Sequence, residues 1–314
     1  MKKKAIIISL KGKTLSKKEK ILLSKENPWG VILFRRNIYS LKQTQKLIHQ
    51  IKKYSKNNNF PILIDEEGST VSRLKNIFNH HLNANYFGKV FEKDKKSAIF
   101  IYKSYLKSLC NLLKIIGVNI NTIPVLDVLR KNTSKIIGLR SFSYNKEIVR
   151  ILGDITVREC QKHKIISVIK HIPGHGCATQ DSHIFLPKVN LSTKNLNLID
   201  FFPFKSNSAK LAMTAHILFS KIDNKNVSTF SKKIINQIIR KKIGFKGILM
   251  SDDISMKALK YDLVTNAKKA LESGCNLVLY CKGNIKDNFK LIRSVPHIDK
   301  FTAKKTSEIY KILM

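Results

Sequence analysis

An α/β fold, and within it a closed single-domain (β/α)8 TIM barrel, is predicted by three features: eight short apolar runs, the abrupt polar ending of each, and amphipathic stretches between most of them. In order, the runs are AIIISL (5–10), WGVILF (29–34), PILI (61–64), NTIPVL (121–126), IISVI (165–169), KLAMT (210–214), GILM (247–250) and NLVLY (276–280). They are apolar throughout rather than alternating, which is the pattern of strands covered on both faces in a parallel sheet. Apolar residues at helical spacing fill 41–54, 96–116, 145–163, 231–243 and 265–273. A doubly wound open sheet is the alternative, but no GxGxxG follows an early strand to mark a dinucleotide site. No repeat, low-complexity tract or Pro/Gly-rich linker divides the chain, so residues 1–314 are expected to form one catalytic barrel domain.

Where such runs stop is where barrel chemistry gathers. Here the strand ends carry Asp65, Asp127, Lys170, His171, His216 and Asp252.

The formal net charge of +38 invites a nucleic-acid reading, because a basic face attracts phosphates without reading sequence. The excess is mostly lysine, spread from Lys2 to Lys311 and accompanied by abundant Asn and Ile, as an A/T-rich genome produces. Arginine, the usual reader of base edges, is scarce, and neither an RNP-like aromatic pattern nor a finger spacing is present. No specific nucleic-acid partner is therefore expected. The N-terminal apolar stretch, Ala5 to Leu10, is too short for a signal or a spanning helix, and no window approaches roughly 18 apolar residues. No membrane partner is expected. Five scattered cysteines without CxxC spacing fit reduced thiols in a cytoplasmic protein.

The richest stretch is KHIPGHGCATQDSH (170–183), read as a loop over the barrel mouth. Gly174 and Gly176 let the backbone around His175 turn sharply or approach a ligand closely. Asp181 and His183 can place a carboxylate beside an imidazole, orienting the ring and raising its basicity. His171, His175, Asp181 and His183 are also acceptable zinc ligands, which leaves a metal-dependent barrel hydrolase as an alternative. Their spacing matches neither HExxH nor a finger.

GILMSDDISM (247–256) supplies a second constellation. Side chains alternate along an extended segment, so Asp252 and Asp253 cannot both face one spot. Asp252 is read as the reactive carboxylate and Asp253 as a helix N-cap for DISMKAL. A carboxylate on one strand end and a His–Asp pair on another loop are the two parts of a double displacement at an anomeric carbon. Asp65 and Arg73 in LIDEEGSTVSRL, and Arg140 in IIGLRSFS, are either forked grips on a hydroxyl-rich or carboxylate ligand or surface salt bridges.

Taken together, KHIPGHG with DSH resembles the KH(F/I)PGHG…DSH signature of bacterial β-N-acetylhexosaminidases of glycoside hydrolase family 3, and SDDISM is similar to their nucleophile segment SDDLSM. ILFRRNI (32–38), LIDEEG, PVLDV (124–128), IIGLRSFS and MTAHI (213–217) resemble further family segments in the same order. The resemblance implies a single-domain barrel in which Asp252 is the nucleophile of a retaining mechanism. It makes His183 the general acid/base, working with Asp181 on a mobile loop. Asp65, Arg73, Arg140, Lys170 and His171 would grip a terminal N-acetylglucosamine. It further implies a cytoplasmic monomer acting on N-acetylglucosaminyl muropeptides (GlcNAc-1,6-anhydroMurNAc) in peptidoglycan recycling, with neither metal nor organic cofactor. Two departures stand out. The family's EGGR(V/T)xR appears as Glu67-Gly68-Ser69-Thr70-Val71-Ser72-Arg73, without its second glycine and first arginine, and the Phe of KHFPGHG is Ile172.

Overall fold

A computed structural model of the chain describes residues 3–182 and 184–314. Among them, eight parallel strands close into a barrel in the order β1-β10-β9-β7-β5-β4-β3-β2. These are β1 (Lys4–Ser9), β2 (Pro28–Leu33), β3 (Ile62–Ile64), β4 (Ile120–Asn121), β5 (Ile166–Ile172), β7 (Leu211–Thr214), β9 (Ile248–Asp253) and β10 (Leu277–Leu279). Seven of them fall on the apolar runs, and β4 meets its run only at Asn121. β6 (Lys188–Val189) and β8 (Leu218–Phe219) form a separate two-stranded parallel pair. Strands of two residues leave no sequence pattern, and this pair was not expected.

Period-two geometry explains why the runs are apolar on both faces. Ile7, Leu63, Val168, Leu211, Ile248 and Leu277 fill the barrel interior, while Ile6, Ile8, Ile62, Ile64, Ile169 and Leu249 face the surrounding helices. Each fully buried aliphatic side chain contributes about 1.5–3 kcal/mol relative to exposure, so the interior is a packed core and not a pore. The floor is plugged by the C-terminal helix Lys300–Leu313: Ile309 packs into the interior cluster, and Trp29 Nε1 donates to Thr306 Oγ1 at 2.8 Å.

Side-chain caps fix the helix starts. Asp94 accepts from the Lys96 and Ser97 amides at the head of Lys95–Ile116, Asn145 caps Lys146–Lys162, and Asp262 caps Leu263–Ser273. The stretch expected as a helix over 231–243 is a π-helix over Ile234–Ile243. Two expectations need correction. The fourth run, 121–126, joins the ladder only through its first residue, Asn121, with Ile120 just before it. Its backbone leaves the ladder around the Ile123–Pro124 bond, where proline has no N–H to donate, and only Val125 returns to bridge Lys170. Lys170 and His171 are not on the loop. They are the last polar residues of β5, and the loop begins beyond Ile172.

Candidate active site

β3, β5 and the turn around Arg140 converge on one network. Asp65, just past β3, accepts from Arg73 Nη2 at 3.0 Å and from the Thr122 hydroxyl, with Lys170 Nζ at 3.5 Å. Glu67, two residues on, accepts from Arg140 Nε at 2.7 Å and Nη2 at 2.9 Å, and from Lys170 Nζ at 2.6 Å. Lys170, almost wholly buried, therefore ties both carboxylates together while also donating to Thr122 at 2.7 Å. Burial opposes ionisation of Asp65 and Glu67, but the neighbouring cations outweigh it. Lys170 and Arg73 hold Asp65 well below the usual carboxylate range, and Arg140 and Lys170 bring Glu67 down to about 2.

The 66–74 turn lacks a glycine and an arginine of the family segment, yet it is internally fixed. Buried Glu66 accepts from Ser72 Oγ at 3.1 Å and from the Arg73 and Leu74 amides at 2.8 and 3.0 Å. Asn121 grips the Glu66 backbone from both sides, accepting from its N–H at 3.0 Å and donating to its C=O at 2.9 Å.

The strand-end imidazoles are held differently. His171 Nδ1 lies 2.7 Å from Asp127 Oδ2, and burial on Asp127 is outweighed by His171, so its carboxyl stays below the ordinary range. His175, also buried, donates its amide to Asp127 Oδ1 at 2.5 Å, and burial lowers its ring pKa to about 4. His216 Nε2 lies 3.1 Å from the Asp253 carbonyl, which can only accept. The ring therefore carries its proton on Nε2, and Nδ1 accepts from Thr229 Oγ1 at 2.7 Å. Burial favours this neutral form.

At the end of β9 the two aspartates divide as the alternation rule requires. Asp253 is turned into structure: Oδ1 accepts from the Ser255 amide at 3.0 Å and the Cys281 amide at 3.2 Å, and Oδ2 accepts from Ser255 Oγ at 2.7 Å. The expected helix cap is corrected here, because no helix follows and the segment closes as a turn back onto β10. Asp252, partly exposed, accepts from the Asp253 amide at 2.7 Å.

Asp181 lies on the loop after β5, partly exposed, with its carbonyl accepting from Ile184 and Phe185. His183 lies outside the described residues. Among the described residues, no three His, Cys, Asp or Glu side chains form a metal-holding group.

Sequence reasoning placed Asp65, Asp127, Lys170, His171, His216 and Asp252 at the strand ends, with Arg73 and Arg140 on loops as ligand-holding candidates. The surface salt bridge offered as the alternative for each arginine is corrected: Arg73 pairs with Asp65 and Arg140 with Glu67 inside the network. Sequence reasoning missed Glu67 as the junction of Arg140 and Lys170, and Thr122 as the partner of Asp65. The one available signal was position, since Glu67 stands three residues past the end of β3.

The residues gathered at this rim can grip a polyhydroxylated ring and present a carboxylate to it, and comparison with known proteins agrees. Glycosyl hydrolase family 3, in its N-terminal domain, matches residues 3–306. A β-hexosaminidase of Neisseria meningitidis (serogroup A, serotype 4A) is 32% identical over 288 residues, 88% of this chain and 79% of that one. The crystal structure of NagZ from Neisseria gonorrhoeae in complex with N-trifluoroacetyl-D-glucosamine superposes with a TM-score of 0.88 at 28% identity, covering 98% of this chain and 90% of that one. A family 3 β-N-acetylglucosaminidase from Paenibacillus sp. FPU-7 gives 0.87 at 25% identity over 98% of this chain, which spans only 60% of that longer structure. The protein is a glycoside hydrolase built on a (β/α)8 barrel. It belongs to glycosyl hydrolase family 3, and its relatives there include bacterial β-hexosaminidases.

Proposed function

We propose that this chain is an exo-acting, retaining β-N-acetylglucosaminidase that removes a terminal β-linked N-acetylglucosamine. We further infer that its substrates are GlcNAc-1,6-anhydroMurNAc muropeptides of peptidoglycan recycling, met in the cytoplasm by a monomer whose residues 1–314 form one catalytic domain. The observation that carries the reading is position: Asp252 stands at the end of β9 on the barrel rim, where Asp65 follows β3 and Lys170 is a strand-end residue of β5, while the neighbouring Asp253 is bonded to Ser255 and Cys281. The named ligand of the gonococcal neighbour, an N-acylated glucosamine, supports the choice of sugar.

In the first step Asp252 attacks C1 and the glycosidic C–O bond breaks. The departing oxygen takes a proton from His183, whose charged form Asp181 stabilises. In the second step His183 removes a proton from water, which attacks C1 and expels Asp252, so two inversions give net retention. Arg73, Asp65, Lys170 and His171 hold the sugar. Arg140 acts through Glu67, because its fork is spent there.

Trapping with a 2-fluoro or 5-fluoro glycosyl reagent, followed by peptide mapping, tests the assignment. The label is expected on Asp252, and a label on another carboxylate overturns it.

A further inference from the structure

The base of the loop carrying Asp181 is clamped from two sides by residues other than those of the Asp65–Lys170–Glu67 network. Asp200, wholly buried, receives the fork of Arg130, with Nε 3.4 Å from Oδ1 and Nη2 on Oδ2. Cys177, from the loop itself, points its thiol at the Gly174 carbonyl, 3.9 Å away. Gly174 lies so close beneath that an added Cβ would come 2.8 Å from Asp200 Cβ and 2.9 Å from its carbonyl oxygen. Its φ of +137° is itself one that glycine alone adopts readily. On the other side, Thr133 Oγ1 accepts from the Arg130 amide and donates to the Gly176 carbonyl, both at 2.6 Å, and the Ser134 amide donates to Ala178 at 2.8 Å. Beyond this clamp, Thr179 and Gln180 are exposed, and Asp181 follows at once.

We propose that the Arg130–Asp200 pair is a positioning latch for proton donation: it fixes the base of the loop, and so sets where the His–Asp acid at its far end meets the departing oxygen. The inference rests on the proposed role of Asp181 and His183. Two apolar side chains would hold a loop base as firmly, since a buried ion pair gains little over them. A fork that fixes direction as well as distance is what the placement of a proton donor requires, because small misplacements cost large factors in rate.

The test compares wild type with Arg130→Gln and Arg130→Lys on two N-acetyl-β-D-glucosaminides, one with a dinitrophenyl leaving group and one with an alkyl leaving group. Only the second needs a proton as its bond breaks. Arg130→Gln is expected to lose on the order of 10²-fold in kcat/KM on the alkyl substrate, against a few-fold on the activated one, with Arg130→Lys recovering most of the difference. Equal losses on both substrates, or none on either, overturn the latch. Where Arg130→Gln does not fold, Arg130→Lys and Asp200→Asn decide by the same ratio. A second readout is independent of the enzymatic reading: limited proteolysis within 174–182 is expected to accelerate about tenfold in Arg130→Gln, following the population of the opened loop. Unchanged cleavage overturns the latch even if wild type turns over neither glycoside, a result that by itself sinks only the proposed function.

Discussion

Lys170 Nζ stands 2.6 Å from Glu67 Oε1, and the opposite face of that carboxylate is closed by the Arg140 fork. A single acidic side chain thus neutralises two buried cations that arrive from different parts of the chain. Replacing it by Glu67→Gln leaves Arg140 without its counter-charge and Lys170 with Asp65 alone, at 3.5 Å. Breaking a buried pair of this kind costs about 3–5 kcal/mol, so urea unfolding is expected to show a loss of that order, together with a raised KM. A stability change within about 0.5 kcal/mol would show that the cations find other partners.

Acid should destabilise the protein in two stages. His175 is buried neutral with its pKa near 4, below the unfolded value of about 6.5. The unfolded chain therefore takes up the proton first, and the stability tied to this group is present above pH 6.5 and lost as pH falls through 4. His216 acts in the same direction. Glu67, near 2 in the fold against about 4.3 unfolded, adds a second loss below pH 4.3, with Asp65 and Asp127 in the same sense. Thermal melts from pH 7.5 to 3 should fall continuously, and His175→Asn should flatten the upper stage. A wild-type profile level from pH 6.5 to 4.5 would contradict the burial of neutral imidazoles.

His216 holds the backbone of the reacting segment without belonging to it. Its Nε2–H to the Asp253 carbonyl fixes the residue that follows Asp252. His216→Phe keeps the bulk and loses the bond. It is expected to lower kcat by 10- to 100-fold with KM nearly unchanged, since placement of the attacking oxygen is what suffers. A KM effect without a kcat effect would assign His216 to substrate binding.

Asp252→Ala is expected to abolish turnover while N-acetylglucosamine still binds, as calorimetry can establish. His183→Ala should spare activated aryl glycosides and cripple poor leaving groups by about 10²–10⁴-fold. Equal losses on both would remove His183 as the proton donor.

The barrel was legible because seven of its eight strands are built from a run such as AIIISL or KLAMT, covered on both faces and cut off by polar residues. The strand-end rule then located Asp65, Lys170, His171 and Asp252. What stayed hidden depends on separation along the chain. Glu67 meets Arg140 across 73 residues, and Arg130 meets Asp200 across 70, so no local period records either pairing. Asp253 illustrates the opposite error, in which a local cap signal was overridden because the Cys281 amide on the neighbouring strand end competed for the same carboxylate.

The helix Lys300–Leu313 stoppers the end of the barrel away from the chemistry, with Ile309 and the Thr306 hydroxyl meeting Trp29. A nascent polypeptide that has emerged only as far as Ser294 already owns every stave of the cask, yet its lower opening is still wet and its indole nitrogen still seeks an acceptor. Trimming that helix would uncover the interior cluster around Ile309 and strip the indole of its acceptor, a cost borne by the staves at the end opposite the chemistry.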